Sequence, residues 1–140
     1  MRQTQRIVVY GNPRGKGRPR FSYAGHTYTD AVTTSYEGSV KKAWKSENNF
    51  TFGKSPTAIC IKAYFSVPVS LSKKKRAALF GQPYLGKPDA DNIAKIIMDA
   101  LNGLAYKDDT QIDVLTVEKR YVATDEEQAR VEVEITGGEE

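Results

Sequence analysis

The chain has 140 residues, with 21 Lys and Arg against 17 Asp and Glu and 39% hydrophobic residues. That size and balance suit one folded domain and exclude both a disordered tail and a membrane-spanning protein, since no apolar run approaches the roughly 20 residues a membrane helix needs. One cysteine, Cys60, and one histidine, His26, exclude an internal disulfide and the usual zinc sites and make a Ser/His/Asp triad or a Cys/His pair a poor prospect, so any metal here is bound by oxygen.

The N-terminal MRQTQRIVVYGN has neither the apolar core nor the cleavage site of a signal peptide, which predicts a cytoplasmic protein. Within it, residues 5–11 are apolar and β-branched and predict a first strand, stopped by Gly11, Asn12 and Pro13. PRGKGRPRFS holds too many glycines and prolines for a helix or regular strand and reads as a basic loop. FSYAGHTYTD reads as a small hairpin turning at Ala24 and Gly25, with His26 near its tip. From residue 31 to about 48, Val32, Tyr36, Val40, Ala43 and Trp44 recur at helical spacing, and Thr29 or Asp30 can cap that helix.

TAICIKAYFSV is apolar on both faces, as a central strand would be, and Cys60 and Trp44 are expected in the core. SLSKKKRAALFG predicts a short basic helix ended by Gly81. Residues 91–104 give the clearest helical signal, with Ile93, Ile96, Ile97, Ala100, Leu101 and Leu104 on one stripe. Two strands follow at 111–122 and 129–136. The expected fold is a single α+β domain over residues 1–140, a small mixed sheet of about four strands packed with two main helices.

Charge is unevenly placed. Basic residues crowd RGKGRPR and KKKR, while the acids gather from Asp89 onward, a division that suggests a polyanionic partner. In KPDADN, Asp91 is a good N-cap for the helix and Asp89 stands two residues before it in extended chain. The two carboxylates can then point the same way. Such a pair repels unless a cation sits between them, and its spacing suits a hard divalent metal. Lys95 lies one turn beyond Asp91; it is placed either to stabilise charge on a phosphate or to pair with Asp91 and Asp99 across a wet helix face. Asp108 and Asp109 are either turn residues or acids that fold back to the helix start.

KPDADNIAKIIMDALNG followed by YKDDTQI resembles the signature region of the RusA family of Holliday junction resolvases. Asp89, Asp91, Asn92, Lys95, Asp99, Asp109 and Gln111 all fit the pattern, and GNPRGKGRPRF, YTD and KKKR are similar to family features more loosely. The resemblance implies a Mg²⁺-dependent endonuclease, with Mn²⁺ as an alternative ion, acting as a homodimer that nicks four-way DNA junctions in pairs. It implies Asp89, Asp91 and Asp109 as metal ligands, with Asp108 as the alternative to Asp109, and Lys95 as an essential lysine. Arg14, Lys16, Arg18, Arg20, Lys73, Lys74, Lys75 and Arg76 would then meet backbone phosphates, and Gly15 and Gly17 would let backbone amides approach them. Two rivals are a flap or branch nuclease and a branched-DNA-binding protein without catalysis.

Overall fold

The structure, a computed structural model, describes residues 2–17, 20–22, 24–28, 30–47 and 50–138. Arg18, Tyr23 and Thr29 lie outside these residues, and the side chains of Arg20, Phe21 and Tyr28 are also outside the description. In chain order the elements are β1 (Arg2–Tyr10), β2 (Arg20–Phe21), β3 (Thr27–Tyr28), α1 (Ala31–Glu47), β4 (Thr57–Phe65), α2 (Lys73–Leu79), α3 (Ala90–Leu101), β5 (Ile112–Tyr121) and β6 (Arg130–Gly138). Among the described residues no helix is long and apolar enough to cross a membrane.

The main sheet has the order β1-β6-β4-β5; β6 runs antiparallel to both β1 and β4, and β5 parallel to β4. This is the mixed four-stranded sheet of an α+β domain, with β4 in its interior as the two apolar faces of that strand require. β2 and β3 form the separate small hairpin. A parallel pair cannot be joined by a tight turn, so β4 and β5 need a long crossover. Residues 66–111 supply it, and both acidic segments lie within it.

Period-two alternation sorts each strand into two faces. Ile7, Val9, Ile59, Ile61, Ala63, Val131, Val133 and Ile135 are buried in one core with Val40 and Trp44 of α1 and the apolar stripe of α3. The opposite face carries Arg6, Val8, Cys60, Lys62, Glu132 and Glu134 around a groove. Trp44 is in the core as expected, whereas Cys60, flanked by the inward Ile59 and Ile61, is half-buried on the other face.

Asp30 caps α1, its Oδ1 accepting from the Thr33 amide at 2.9 Å. Ser72 caps α2 by accepting from the Lys75 amide at 3.3 Å. In α3, Ile93, Ile96, Ile97, Ala100 and Leu101 are all buried. The helix is shorter than its apolar stripe. It stops because Asn102 turns extended and Gly103 adopts φ +78°, the left-handed conformation that favours glycine just past a helix end. Leu104 therefore packs from the following turn rather than from the helix.

Candidate active site

The first turn of α3 differs from the sequence expectation in one respect that matters. The N-cap is Asp89, with φ −66° and ψ 154°, and Asp91 already lies inside the first turn. Asp91 is therefore not the cap, and the two acids are not neighbours along one extended strand; the helix starts at Ala90, a strong helix former directly after an extended Asp. Asp89 makes no side-chain capping bond, so its carboxylate is left for another partner. Asp89, Asp91 and Lys95 are all exposed, and among the described residues their side chains enter no hydrogen bond or ion pair. Asp99 pairs with Lys16 at 3.1 Å, so the pairing of Lys95 with Asp91 and Asp99 is not formed.

The segment leading into Asp89 is held from β5 and from the loop before it. The Lys119 ammonium donates to the carbonyls of Gly86 at 2.7 Å and Pro88 at 3.0 Å, and the Tyr84 hydroxyl donates to that of Lys87 at 3.0 Å. Beside them opens a cleft of about 820 Å³ whose lining includes Arg14, Phe65, Tyr84, Lys87, Asp89 and Asn92.

The basic loop reaches this cleft by packing on α1 and α3. The Lys16 amide donates to the Asn92 carbonyl at 3.0 Å, and the Gly17 amide to Thr33 Oγ1 at 3.0 Å. A Cβ on Gly15 would stand 2.7 Å from Pro88 Cβ, and one on Gly17 2.0 Å from Asp30 Oδ2. Both glycines thus serve close approach within the protein, and the amides of Lys16 and Gly17 are already committed. Lys16 is sandwiched between Glu37 at 2.7 Å and Asp99 at 3.1 Å. Burial pulls its pKa down, and the two carboxylates outweigh it, so the net shift is upward and the ammonium persists.

Of the second basic cluster, Lys73, Lys74 and Lys75 are exposed. Arg76 is tied to Asp125 and to the carbonyls of Val67 and Pro68. Lys16 and Arg76 are engaged within the chain, whereas Arg14 and the three lysines face solvent.

The second acidic pair is divided. Asp108 caps a 3₁₀ turn over Asp109–Gln111, with Oδ2 accepting from the Thr110 amide at 3.1 Å and hydroxyl at 2.6 Å. Those two bonds hold it below the usual carboxylate range. Gln111 donates to the carbonyls of Gly53 at 2.6 Å and Ser55 at 2.9 Å, and accepts from the amides of Lys107 and Asp108. Asp109 instead accepts from the hydroxyl of the buried Tyr106 at 2.7 Å. Burial first, and then the Asp109 carboxylate, push the Tyr106 hydroxyl up, so it stays a donor.

Tyr106 also lies 3.1 Å from the Met98 carbonyl, which places Asp109 beside the last turn of α3. Met98 is seven residues beyond Asp91, roughly 10 Å along the axis. Asp109 does not fold back to the helix start, and among the described residues no three His, Cys, Asp or Glu side chains converge as a metal cage. In donor chemistry Asp89 and Asp91 nevertheless suit Mg²⁺, which takes hard oxygen ligands and commonly uses one or two carboxylates with waters and substrate phosphate.

These residues lie within a longer match: residues 10–136 correspond to the family described as Endodeoxyribonuclease RusA. The chain belongs to the RusA family. It is also similar to a protein of Bacillus subtilis (strain 168) named "Uncharacterized protein YqaN", with 37% identity over 138 residues covering 93% of this chain and 94% of that one. RusA proteins are endodeoxyribonucleases of the Holliday junction resolvase class, enzymes whose substrate is the polyanion DNA.

In this RusA chain, sequence reasoning missed Lys119, Tyr84 and Tyr106, which hold the acid-bearing segments from outside them. Tyr106 had a visible signal, standing three residues before Asp109. Lys119 had none, because its partners Gly86 and Pro88 are 33 and 31 residues away.

Proposed function

We propose that the chain is a Mg²⁺-dependent endonuclease that resolves four-way DNA junctions by paired symmetric nicks, acting as a homodimer in DNA recombination and repair. The observation that carries this reading is the pair Asp89 and Asp91, exposed and without side-chain partners at the start of α3, beside a basic loop in a RusA-family chain. A surface that only binds DNA gains nothing from carboxylates, which repel phosphate. A helix start favours negative charge, but a cap that makes no capping bond is poor architecture.

Asp89 and Asp91 would hold the ion, with waters and phosphate oxygens completing its shell. Bound there, Mg²⁺, or Mn²⁺ in its place, would polarise the scissile phosphate and lower the pKa of an attacking water. Lys95, on the same helix face one turn after Asp91, offers its ammonium to charge that develops on phosphate oxygen. Asp109 is the third acid of the family pattern; Tyr106 fixes it apart from the first two in the protomer, so the pair at the helix start carries the metal proposal. Arg14 and Lys73, Lys74 and Lys75, together with Arg18 and Arg20 of the same basic stretch of sequence, would hold backbone phosphates, giving affinity that falls steeply with salt. Two symmetric cuts require two sites related by a two-fold axis, hence the homodimer.

The test is product analysis on a synthetic four-way junction with each strand labelled in turn. Paired nicks at symmetric positions, giving ligatable duplexes, are expected. Equal cutting of flaps and junctions, or a single unpaired nick, would contradict resolution and favour a branch nuclease.

A further inference from the structure

Three consecutive carbonyls, those of Gly86, Lys87 and Pro88, run directly into Asp89, and each is taken by a side chain from elsewhere. Lys119 reaches two of them from β5, the edge strand, where it pairs in register with the buried Ala63 and so points to the helix-covered face. Its ammonium also stands 5.5 Å from the centroid of the Tyr84 ring. That ring lies flat on Phe65, with centroids 3.7 Å apart and planes 4° from parallel. The backbones are joined as well, since the Tyr84 amide donates to the Lys119 carbonyl at 3.0 Å.

A lysine that commits two of its three donors to backbone carbonyls beneath an acidic site gives up much of the rotamer freedom of a long side chain to tie down a loop. We infer that Lys119 and Tyr84 are positioning residues for cleavage: they fix the Gly86–Pro88 backbone and thereby set the direction in which Asp89 presents its carboxylate. This rests on the metal-dependent reading of Asp89. Outer groups that orient a metal-binding carboxylate typically matter by about 10- to 100-fold in metal affinity or activity.

The test uses Lys119→Met, which keeps an apolar stem, and Tyr84→Phe, which keeps the stack on Phe65 and removes only the hydroxyl. Mn²⁺ binding to DNA-free protein, junction affinity in EDTA and single-turnover nicking are measured for each. Lys119→Met is expected to weaken Mn²⁺ binding and slow nicking by about 10- to 100-fold. Junction affinity in EDTA should stay within about twofold, and excess Mn²⁺ should restore part of the rate. Tyr84→Phe should move the same quantities in the same direction by less, and it decides the matter if Lys119→Met does not fold. A fall in junction affinity with Mn²⁺ binding intact would make Lys119 a phosphate contact and overturn the proposal. Unchanged Mn²⁺ binding and nicking in both variants would also overturn it. Asp89→Asn separates the two levels: if it neither binds Mn²⁺ normally nor cuts while Lys119→Met does both, only the clamp fails. If Asp89→Asn binds and cuts like the parent, the metal reading falls and takes the clamp with it.

Discussion

At one end of α3, Asp89 and Asp91 face solvent with no side-chain partner among the described residues; at the other, Asp108 and Asp109 are held by Thr110 and Tyr106. Both pairs are acidic, both flank the same helix, and both lie within the stretch matched to one family. The difference lies in what each carboxylate has been given to do. Asp108 closes a turn, in a capping box with Gln111. The first pair closes nothing among the described residues, since neither carboxylate makes a side-chain bond. Where groups are saturated, their removal should cost stability; where they are bare, it should cost chemistry.

The sharpest way to break that comparison is at the helix start. Asp91→Asn and Lys95→Ala are each expected to slow junction nicking by about 10²–10³-fold, as removal of a preorganised charge at a reacting phosphate does. Unfolding free energy should move by no more than about 0.5 kcal/mol, as at other exposed positions. Single-turnover assays beside denaturant unfolding check both halves. At the other end, Gln111→Ala strips partners from the carbonyls of Gly53 and Ser55 and the amides of Lys107 and Asp108. A loss of about 2–3 kcal/mol in urea unfolding is expected from those orphaned groups.

The lysines divide along the same line. Lys16→Ala would leave Glu37 and Asp99 facing each other with no cation between them, at a cost of about 1–3 kcal/mol in stability for a largely covered cluster. Lys74→Ala should leave stability alone and make the slope of log affinity against log salt shallower by about 1, the share of a single neutralised phosphate. Salt titrations of junction binding distinguish the two.

A last effect concerns pH and is confined to alkaline conditions. Burial pushes the Tyr36 hydroxyl up to about 12, partly offset by Arg14. Its unfolded value is about 10, so the stability it contributes is complete below about pH 10 and is lost as pH rises toward 12. Tyr36→Phe removes this ionisation and should flatten the decline in stability between pH 10 and 12, read by urea unfolding across that window.

What was legible in the sequence is what repeats locally. The stripe of α3 and the alternation of β6 each arise from one face meeting a core, and both elements form there, although α3 ends at Leu101 and leaves Leu104 to the next turn. Asp89, Asp91 and Lys95 could be singled out as candidates because their spacing is local too. The start of α3 was misplaced because Asp91 and Asp89 are equally good caps in sequence, and only the backbone decides between them. Cys60 was misassigned because apolar residues on both faces of a strand do not say which face a helix layer will cover. Long-range partners were out of reach: nothing around Lys16 foretells Glu37 and Asp99, and nothing around Lys119 foretells Gly86.

The most direct test of the account is a Mg²⁺ titration of nicking on a four-way junction and on a linear duplex of the same sequence, for the parent chain and for Asp89→Asn and Asp91→Asn, with EDTA as the zero point. Nicks that need Mg²⁺, appear in the junction alone and vanish in both variants while junction binding in EDTA persists are the predicted result. Tight junction binding by the parent chain with no cleavage in Mg²⁺ or Mn²⁺, or cleavage that survives removal of both carboxylates, would contradict it.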